Sequence, residues 1–203
     1  YYVLVDHNLR KNSSTEAASV KSLLKPFKIN LIIFKNRKKI VKNVQSEARK
    51  IRYEFFKQFC KRKKISVILT AHNLEDQVET FFIRLSRGSG LHGLSSMKQT
   101  NKINGNIHLA RPLLDFKKIQ LIQISKMIFG KFYKDPTNKN KKYLRTRIRN
   151  LKKSLETSGI NYDQIFQSIK NLASSRDTLN LYFNKIYQDV VDKKKNRILI
   201  NLK

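Results

Sequence analysis

Negative charge is what this chain has least of: 14 Asp and Glu stand against 44 Lys and Arg in 203 residues, a formal charge of +30. A balance that basic points to a polyanionic partner, with nucleic acid ahead of an anionic membrane because no basic amphipathic surface helix stands out. Lys (31) outnumbers Arg (13), a bias that an AT-rich coding sequence also produces, so the placement of the charge says more than its sum. Cysteine occurs once, at Cys60, which excludes a disulfide within the chain and any cysteine-based metal cluster. It lies in the apolar group Phe55, Phe56, Phe59 and Cys60, the setting of a packing residue. No run of about 18 apolar residues occurs, so no membrane partner is expected. Tyr1-Tyr2-Val3-Leu4-Val5 turns polar too soon for a signal peptide, and a cytoplasmic location is expected. Internal repeats are absent, and low complexity is confined to short lysine clusters.

What is present is a globular pattern. Apolar residues make up 40% of the chain, enough for one domain, or one domain and part of another. "YYVLV" (1–5), "INLIIF" (29–34) and "ISVILTA" (65–71) are short, nearly continuous apolar runs, as in strands of a parallel sheet covered on both faces. Helical periodicity separates them at 14–25, behind Ser13, Ser14 and Thr15, and at 43–63. This alternation predicts a doubly wound, Rossmann-like α/β fold. A helix at 74–87, a glycine-containing loop "RGSGLHGL" and an edge strand near 107–110 follow. The rest reads as helices at 116–129, 141–157 and 161–192, with "RILINL" opening another strand. A boundary near 158 gives a first domain at 1–157 and the start of a helical domain at 158–203.

In open α/β sheets, ligands bind at the carboxyl ends of the strands. "YYVLV" ends in Asp6-His7 and "ISVILT" in Ala71-His72, two polar exits on one side of one sheet. Just beyond His72, Glu75, Asp76 and Glu79 fall within five positions, although acids are rare elsewhere. Asn73 as a helix cap with Asp76 three residues on accounts for the first two. Asp76 and Glu79, at i and i+3, share a helix face and could seat a divalent cation with phosphates, or an ammonium group.

The motifs "VDHNLR" (5–10), "EARKIRYEFF" (47–56), "TAHNLEDQVETFFIRLSRGSGLHGLSSM" (70–97), "RPLL" (111–114) and "DPTN…YLRTRIRN" (135–150) stand in an order that resembles the tRNA(Ile)-lysidine synthetases. These are N-type ATP pyrophosphatases with the PP-loop, an adenine nucleotide alpha hydrolase-like fold. The resemblance implies a two-step ligase: ATP adenylates the C2 oxygen of the wobble cytidine in tRNA(Ile) with a CAU anticodon, and free L-lysine then displaces AMP. It implies ATP and Mg²⁺ as cofactors, with a homodimer among the assemblies it allows. Carried onto this chain, Asp76 and Glu79 would hold the lysine ammonium or Mg²⁺, with Asp76 as the metal ligand. Arg49 and Arg52 would neutralise phosphate or carboxylate charge, and His7, His72 and Arg10 would line the nucleotide site. The two arginines also fit a solvated helix face, since residues 35–64 hold 13 basic and two acidic side chains. Where the family usually shows two histidines this chain has His72-Asn73, and Glu75 replaces an Asp. The family's Ser-Gly-Gly-x-Asp-Ser phosphate loop does not occur in the 203 residues; it is expected upstream of "YYVLV", and the 203 residues alone are expected to form no lysidine.

Residues 131–153 carry ten basic side chains to one acidic, interleaved with Phe132, Tyr133 and Tyr143, a pattern that suits phosphates and unpaired bases. Lys141, Lys142, Arg145, Arg147 and Arg149 are its candidate RNA contacts. The three arginines recur at every second position, so a helix cannot aim them all one way. Two rival readings stay open: a non-catalytic tRNA-binding module, and another ATP pyrophosphatase acting on tRNA. A tRNA thiolase is disfavoured by the single cysteine.

Overall fold

The computed structural model describes residues 1–133, 140, 142–194 and 197–200. Two compact units emerge, each discontinuous in sequence. One comprises residues 1–70, 100–111 and 119–133, the other residues 71–99, 112–118 and 134–203.

The first unit holds five strands in two sheets, so the two polar strand exits expected on one sheet do not share one. β1 (Tyr2–Asp6) and β2 (Leu31–Lys35) pair in parallel, with Val3 opposite Ile32 and Val5 opposite Phe34. Helix α1 (Ser13–Leu24) makes the crossover between them. β3 (Val67–Leu69) runs parallel to β5 (Ile107–Ala110), which pairs antiparallel with β4 (Thr100–Asn104), giving the order β3-β5-β4. Gly105, in the left-handed region at φ +50°, turns the chain from β4 to β5. Helix α2 (Val44–Lys63) lays an aromatic stripe on β2: Phe34 stacks on Phe55 at 5.3 Å and meets Phe59 edge-on at 5.5 Å. Cys60 is buried in that stripe, and its burial raises the thiol pKa, in keeping with a packing residue. Helix α5 (Lys118–Phe129) contributes Phe129, which packs edge-on against Phe27.

The second unit is helical. α3 (Leu74–Leu85) is followed by the single turn α4 (Leu91–Leu94), then α6 (Leu144–Asn150), α7 (Lys152–Thr157) and the 29-residue α8 (Tyr162–Val190). Its core is Leu74 and Val78 of α3 against Tyr162, Ile165 and Ile169 of α8, with Phe81, Phe82 and Leu155 around them. Spacing at i, i+4 on α3 and i, i+3, i+7 on α8 gives each helix one apolar stripe, and the stripes face each other. The continuous helix expected at 141–157 is broken at Leu151, whose N–H bonds back three residues to the Ile148 carbonyl. Gly159, at φ +85°, ends α7, and the Ile160 N–H closes on the Leu155 carbonyl at 2.9 Å. β6 (Val191–Lys194) pairs antiparallel with β7 (Arg197–Ile200), where the sequence suggested a strand. Among the described residues no helix is long and apolar enough to cross a membrane.

The serines expected to cap α1 lie in its first turn, behind Asn12, which makes no side-chain cap bond, and Ser14 serves the end of β1 instead. Ser14 Oγ donates to Asp6 Oδ2 at 2.7 Å and the Asn8 N–H donates to Asp6 Oδ1 at 2.9 Å. Burial of Asp6 opposes ionisation, but the lowering effects, led by the bonds from Ser14 and Asn8 and including the charge of Lys35, together outweigh it and hold the carboxyl below its usual pKa. A depressed carboxylate stabilises the fold above its unfolded value, near about pH 4, and loses that contribution as pH falls through the lower folded value. In melts between about pH 6 and about pH 2, the parent should therefore lose stability more steeply below about pH 4 than Asp6→Asn does. Parallel curves would show that Asp6 is not held in its charged form.

Candidate functional site

The site candidates divide between the two units. In the first, β1 delivers Asp6 and His7 to its carboxyl end, and the backbone there is fixed by Asn36 at the end of β2. The Asn36 N–H donates to the Asp6 carbonyl at 2.8 Å, and its side-chain amide donates to the His7 carbonyl at 3.4 Å. Asn8 turns the chain away in the left-handed region at φ 53°, which asparagine tolerates. From α2, Arg52 donates a hydrogen bond to His7 Nε2 at 3.4 Å. His7 Nδ1 is shut off from water and has no hydrogen-bond partner among the described residues. Burial, then the charge of Arg52, lowers the His7 pKa, against a smaller raising effect of Asp6. Arg49, one turn before Arg52, donates to the Tyr53 hydroxyl at 3.3 Å, its guanidinium 4.8 Å from the ring centre. Arg10 makes a two-pronged ion pair with Glu16 of α1 at 3.2 and 2.9 Å. The structure thus joins His7 to Arg52 and engages Arg10 and Arg49 locally.

In the second unit, α3 begins with the capping box that Asn73 and Asp76 suggest. Asn73 Oδ1 accepts from the Asp76 N–H, and Asp76 Oδ2 accepts from the Asn73 N–H, both at 3.1 Å. Glu75 turns aside and accepts the Lys118 N–H at 2.8 Å. Glu79, one turn on, is only 1% exposed, and its charge is met by two guanidiniums of α6. Arg145 Nε donates to Glu79 Oε2 at 2.8 Å, and Arg149 donates through Nε to Oε1 at 2.6 Å and through Nη2 to Oε2 at 3.0 Å. Arg145 also reaches Asp76 Oδ1 at 3.5 Å, so the two carboxylates and two arginines form one cluster. The hydrogen bond to Glu79 raises the Arg149 pKa further, against burial. Tyr162 stands beside the cluster, its hydroxyl buried without a hydrogen-bond partner among the described residues. Burial, then the negative charge of Glu79, pushes its pKa up to about 12. Tyr162 was missed in the sequence, where it is one apolar-stripe residue among several.

Residues 145 and 149 lie at i, i+4 on one side of α6, and Arg147 points away and is exposed. Lys142 is exposed, and Lys141 lies outside the described residues. His72 is half-buried just before the capping box. Among the described residues no group of three or more His, Cys, Asp or Glu could hold a metal ion. With both Glu79 oxygens taken, Asp76 is the cluster's carboxylate that retains solvent access.

The glycine-containing loop after α3 is fastened, not free. Gln77 clasps Met97, donating to its carbonyl and accepting from its N–H, both at 2.8 Å. Arg84 donates to the Gly93 and Ser96 carbonyls at 2.7 and 2.9 Å. Buried Arg176 of α8 reaches Ser95 Oγ at 2.7 Å. A Cβ on Gly93 would run into the Ser89 side chain, whereas Gly88, at φ +67°, and Gly90 face open space.

Three findings place the chain among known proteins. The PP-loop domain family profile matches residues 1–155. The tRNA(Ile)-lysidine synthase of Wolbachia pipientis wMel is 39% identical over 163 residues, 79% of this chain and 38% of that protein. The same-named protein of Bradyrhizobium diazoefficiens is 40% identical over 158 residues, 77% of this chain and 44% of its own. The chain thus spans about two fifths of the curated relatives it matches. Among solved structures, a U34-tRNA thiolase from Methanococcus maripaludis superimposes with a TM-score of 0.68, covering 85% of this chain and 61% of its own at 16% identity, a likeness of fold.

The paired and unpaired arginines of α6 should differ sharply when replaced. Arg149→Gln leaves a buried carboxylate short of a partner and should cost about 3 kcal/mol of unfolding free energy in urea. Arg147→Gln, on the exposed side, should stay within about 0.5 kcal/mol of the parent. Equal effects would mean that the clamp on Glu79 does not form in solution.

Proposed function

We propose, from the premise that this chain belongs to the PP-loop domain family, that it is the ATP-dependent part of a tRNA-modifying ligase of the lysidine-forming kind. The observation that carries this reading is the 35–41% identity to proteins named tRNA(Ile)-lysidine synthase, over stretches that cover most of this chain. Residues 1–157 would form the catalytic domain and residues 158–203 the start of a tRNA-binding helical one.

In the proposed reaction, the C2 carbonyl oxygen of the wobble cytidine in a CAU-anticodon tRNA(Ile) attacks the α-phosphorus of ATP, and pyrophosphate leaves. The ε-amine of free L-lysine then bonds to C2 and gives up a proton, and AMP departs with the former carbonyl oxygen. Asp76, the acid with remaining solvent access, is the seat for the lysine ammonium or for a magnesium ion carried in on the phosphates, where the ion would neutralise charge. Glu79 acts on the site through Arg145 and Arg149, which it holds in place.

The buried Nδ1 of His7, an unsatisfied polar atom at a strand's carboxyl end, fits a nucleotide site. Arg10, Arg49 and Arg52, in the same unit as His7, supply further cationic groups for ATP, and His72, in the other unit, is a separate candidate contact. Arg147 and Lys142, both exposed, are the described residues of the basic segment best placed to meet tRNA phosphates. A tRNA substrate places the reaction in the cytoplasm.

Joining the chain at Tyr1 to a strand and a Ser-Gly-Gly-x-Asp-Ser loop provides the assay protein. With an isoleucine tRNA transcript and lysine it should release pyrophosphate from ATP, and Asp76→Asn should cut the rate by about a hundredfold, the scale of a charged group acting at a transition state. tRNA bound without pyrophosphate release would instead identify a binding module. Arg147→Gln should lower the slope of log K against log salt for tRNA by about one unit, the effect of one lost phosphate contact. An unchanged slope would remove that residue from the RNA surface.

A further inference from the structure

Arg52 and His7 are joined by a hydrogen bond whose direction chemistry decides. A guanidinium carries five N–H donors and no acceptor, so in the 3.4 Å contact between Arg52 Nη2 and His7 Nε2 the histidine nitrogen must accept. An imidazole nitrogen accepts only when it carries no proton, so the ring's one proton sits on Nδ1. That Nδ1 is closed to water and meets no acceptor among the described residues. An unsatisfied buried donor costs free energy comparable to a lost hydrogen bond, and is regained when a ligand supplies an acceptor.

We infer that Arg52 is a positioning residue that fixes His7 as the Nδ1–H tautomer, presenting a buried hydrogen-bond donor to an acceptor atom on the base or ribose of a bound adenine nucleotide. This rests on the reading of the chain as an ATP-using protein. It moves Arg52 from neutralising phosphate charge to orienting the side chain that meets the nucleoside. The surroundings keep the arrangement in one state. The His7 carbonyl is held by Asn36, and the next residue is turned aside by its bond to Asp6. Burial and the charge of Arg52 disfavour the imidazolium, which would have no lone pair for Arg52 to meet. An adenine base offers ring nitrogens and a ribose offers oxygens as acceptors, whereas a second donor in that position would leave two N–H groups opposed.

The tautomer can be tested on the 203-residue chain, and the ligand on that chain joined at Tyr1 to a strand and the Ser-Gly-Gly-x-Asp-Ser loop. In ¹⁵N-histidine-labelled protein, long-range ¹H–¹⁵N correlations should show His7 protonated at Nδ1 and bare at Nε2, the resonance assigned by its loss in His7→Gln. Arg52→Met should release this preference and give a mixture with the Nε2–H form. ATP at about millimolar concentration should then shift the His7 Nδ1–H signal, and adenosine should shift it the same way, whereas tripolyphosphate, the polyanion control for so basic a chain, should not.

His7→Asn, whose amide nitrogen falls near the position of Nδ1, should keep ATP affinity within about threefold of the parent. His7→Gln, whose amide falls near Nε2, should lose about tenfold, the scale of one hydrogen bond. An Nε2–H tautomer in the free chain would overturn the inference, as would equal ATP affinity in parent and His7→Gln, or an equal shift by tripolyphosphate. In the protein that carries the added strand and loop, pyrophosphate release without a His7 shift would overturn the ligand assignment alone, and an Nδ1–H tautomer with no ATP binding would overturn the ATP-using reading.

Discussion

A carboxylate that is 1% exposed cannot stand alone, and the helical unit is organised around that constraint at Glu79. Desolvating a lone carboxylate costs several kcal/mol, so its partners must be brought from wherever the chain can supply them. Here they come from about seventy residues downstream: α6 carries Arg145 and Arg149 one turn apart, and their guanidiniums take both oxygens of Glu79. The bond holds α6 against α3, and the apolar stripe of α3 in turn packs on α8 through Val78, Ile165 and Ile169. One charge pairing therefore sets both the position of a basic helix and the surroundings of Asp76, the carboxylate left with access to solvent.

The sheet unit answers the same requirement on a smaller scale. Asp6 ends a strand in a buried position and is satisfied within eight residues by Ser14 and Asn8. Asn36 does likewise at the end of the neighbouring strand, bonding to the Lys38 N–H and carbonyl at 3.0 and 2.7 Å. Among the described residues, His7 Nδ1 and Ser13 Oγ are the buried atoms at this strand end left without a partner, and His7 Nδ1 belongs to a ring that Arg52 already holds from its other side. A site of this kind is recognised by the atoms that stay unsatisfied after their neighbours are served.

Much of this was legible in the sequence because its causes are local. Three continuous apolar runs became β1, β2 and β3, and Asn73 followed by Asp76 became a capping box, each fixed by residues within a few positions. β4 was also within reach, since Asn104-Gly105 before the apolar Ile107 is a hairpin signal, but Thr100–Asn104 is too polar to read as a strand by hydrophobicity alone. The break at Leu151 had no proline or glycine to mark it. Least legible were the long-range partners. Arginines at every second position showed that not all could face one way, but only the fold shows that Arg145 and Arg149 turn to Glu79 while Arg147 faces solvent. The glycine-containing loop looked free because its ties, from Gln77, Arg84 and Arg176, reach it from as far as 81 residues away.

The pairing of Glu79 with Arg149 is tested most directly by a double-mutant cycle on unfolding free energy, using Glu79→Gln, Arg149→Gln and the double variant. Residues in one buried ion pair couple, and here the interaction energy should be at least about 2 kcal/mol, with the double variant more stable than the sum of the single losses implies. Additive losses, with no coupling beyond about 0.5 kcal/mol, would contradict the account, because Glu79 and Arg149 would then not depend on each other in the folded protein.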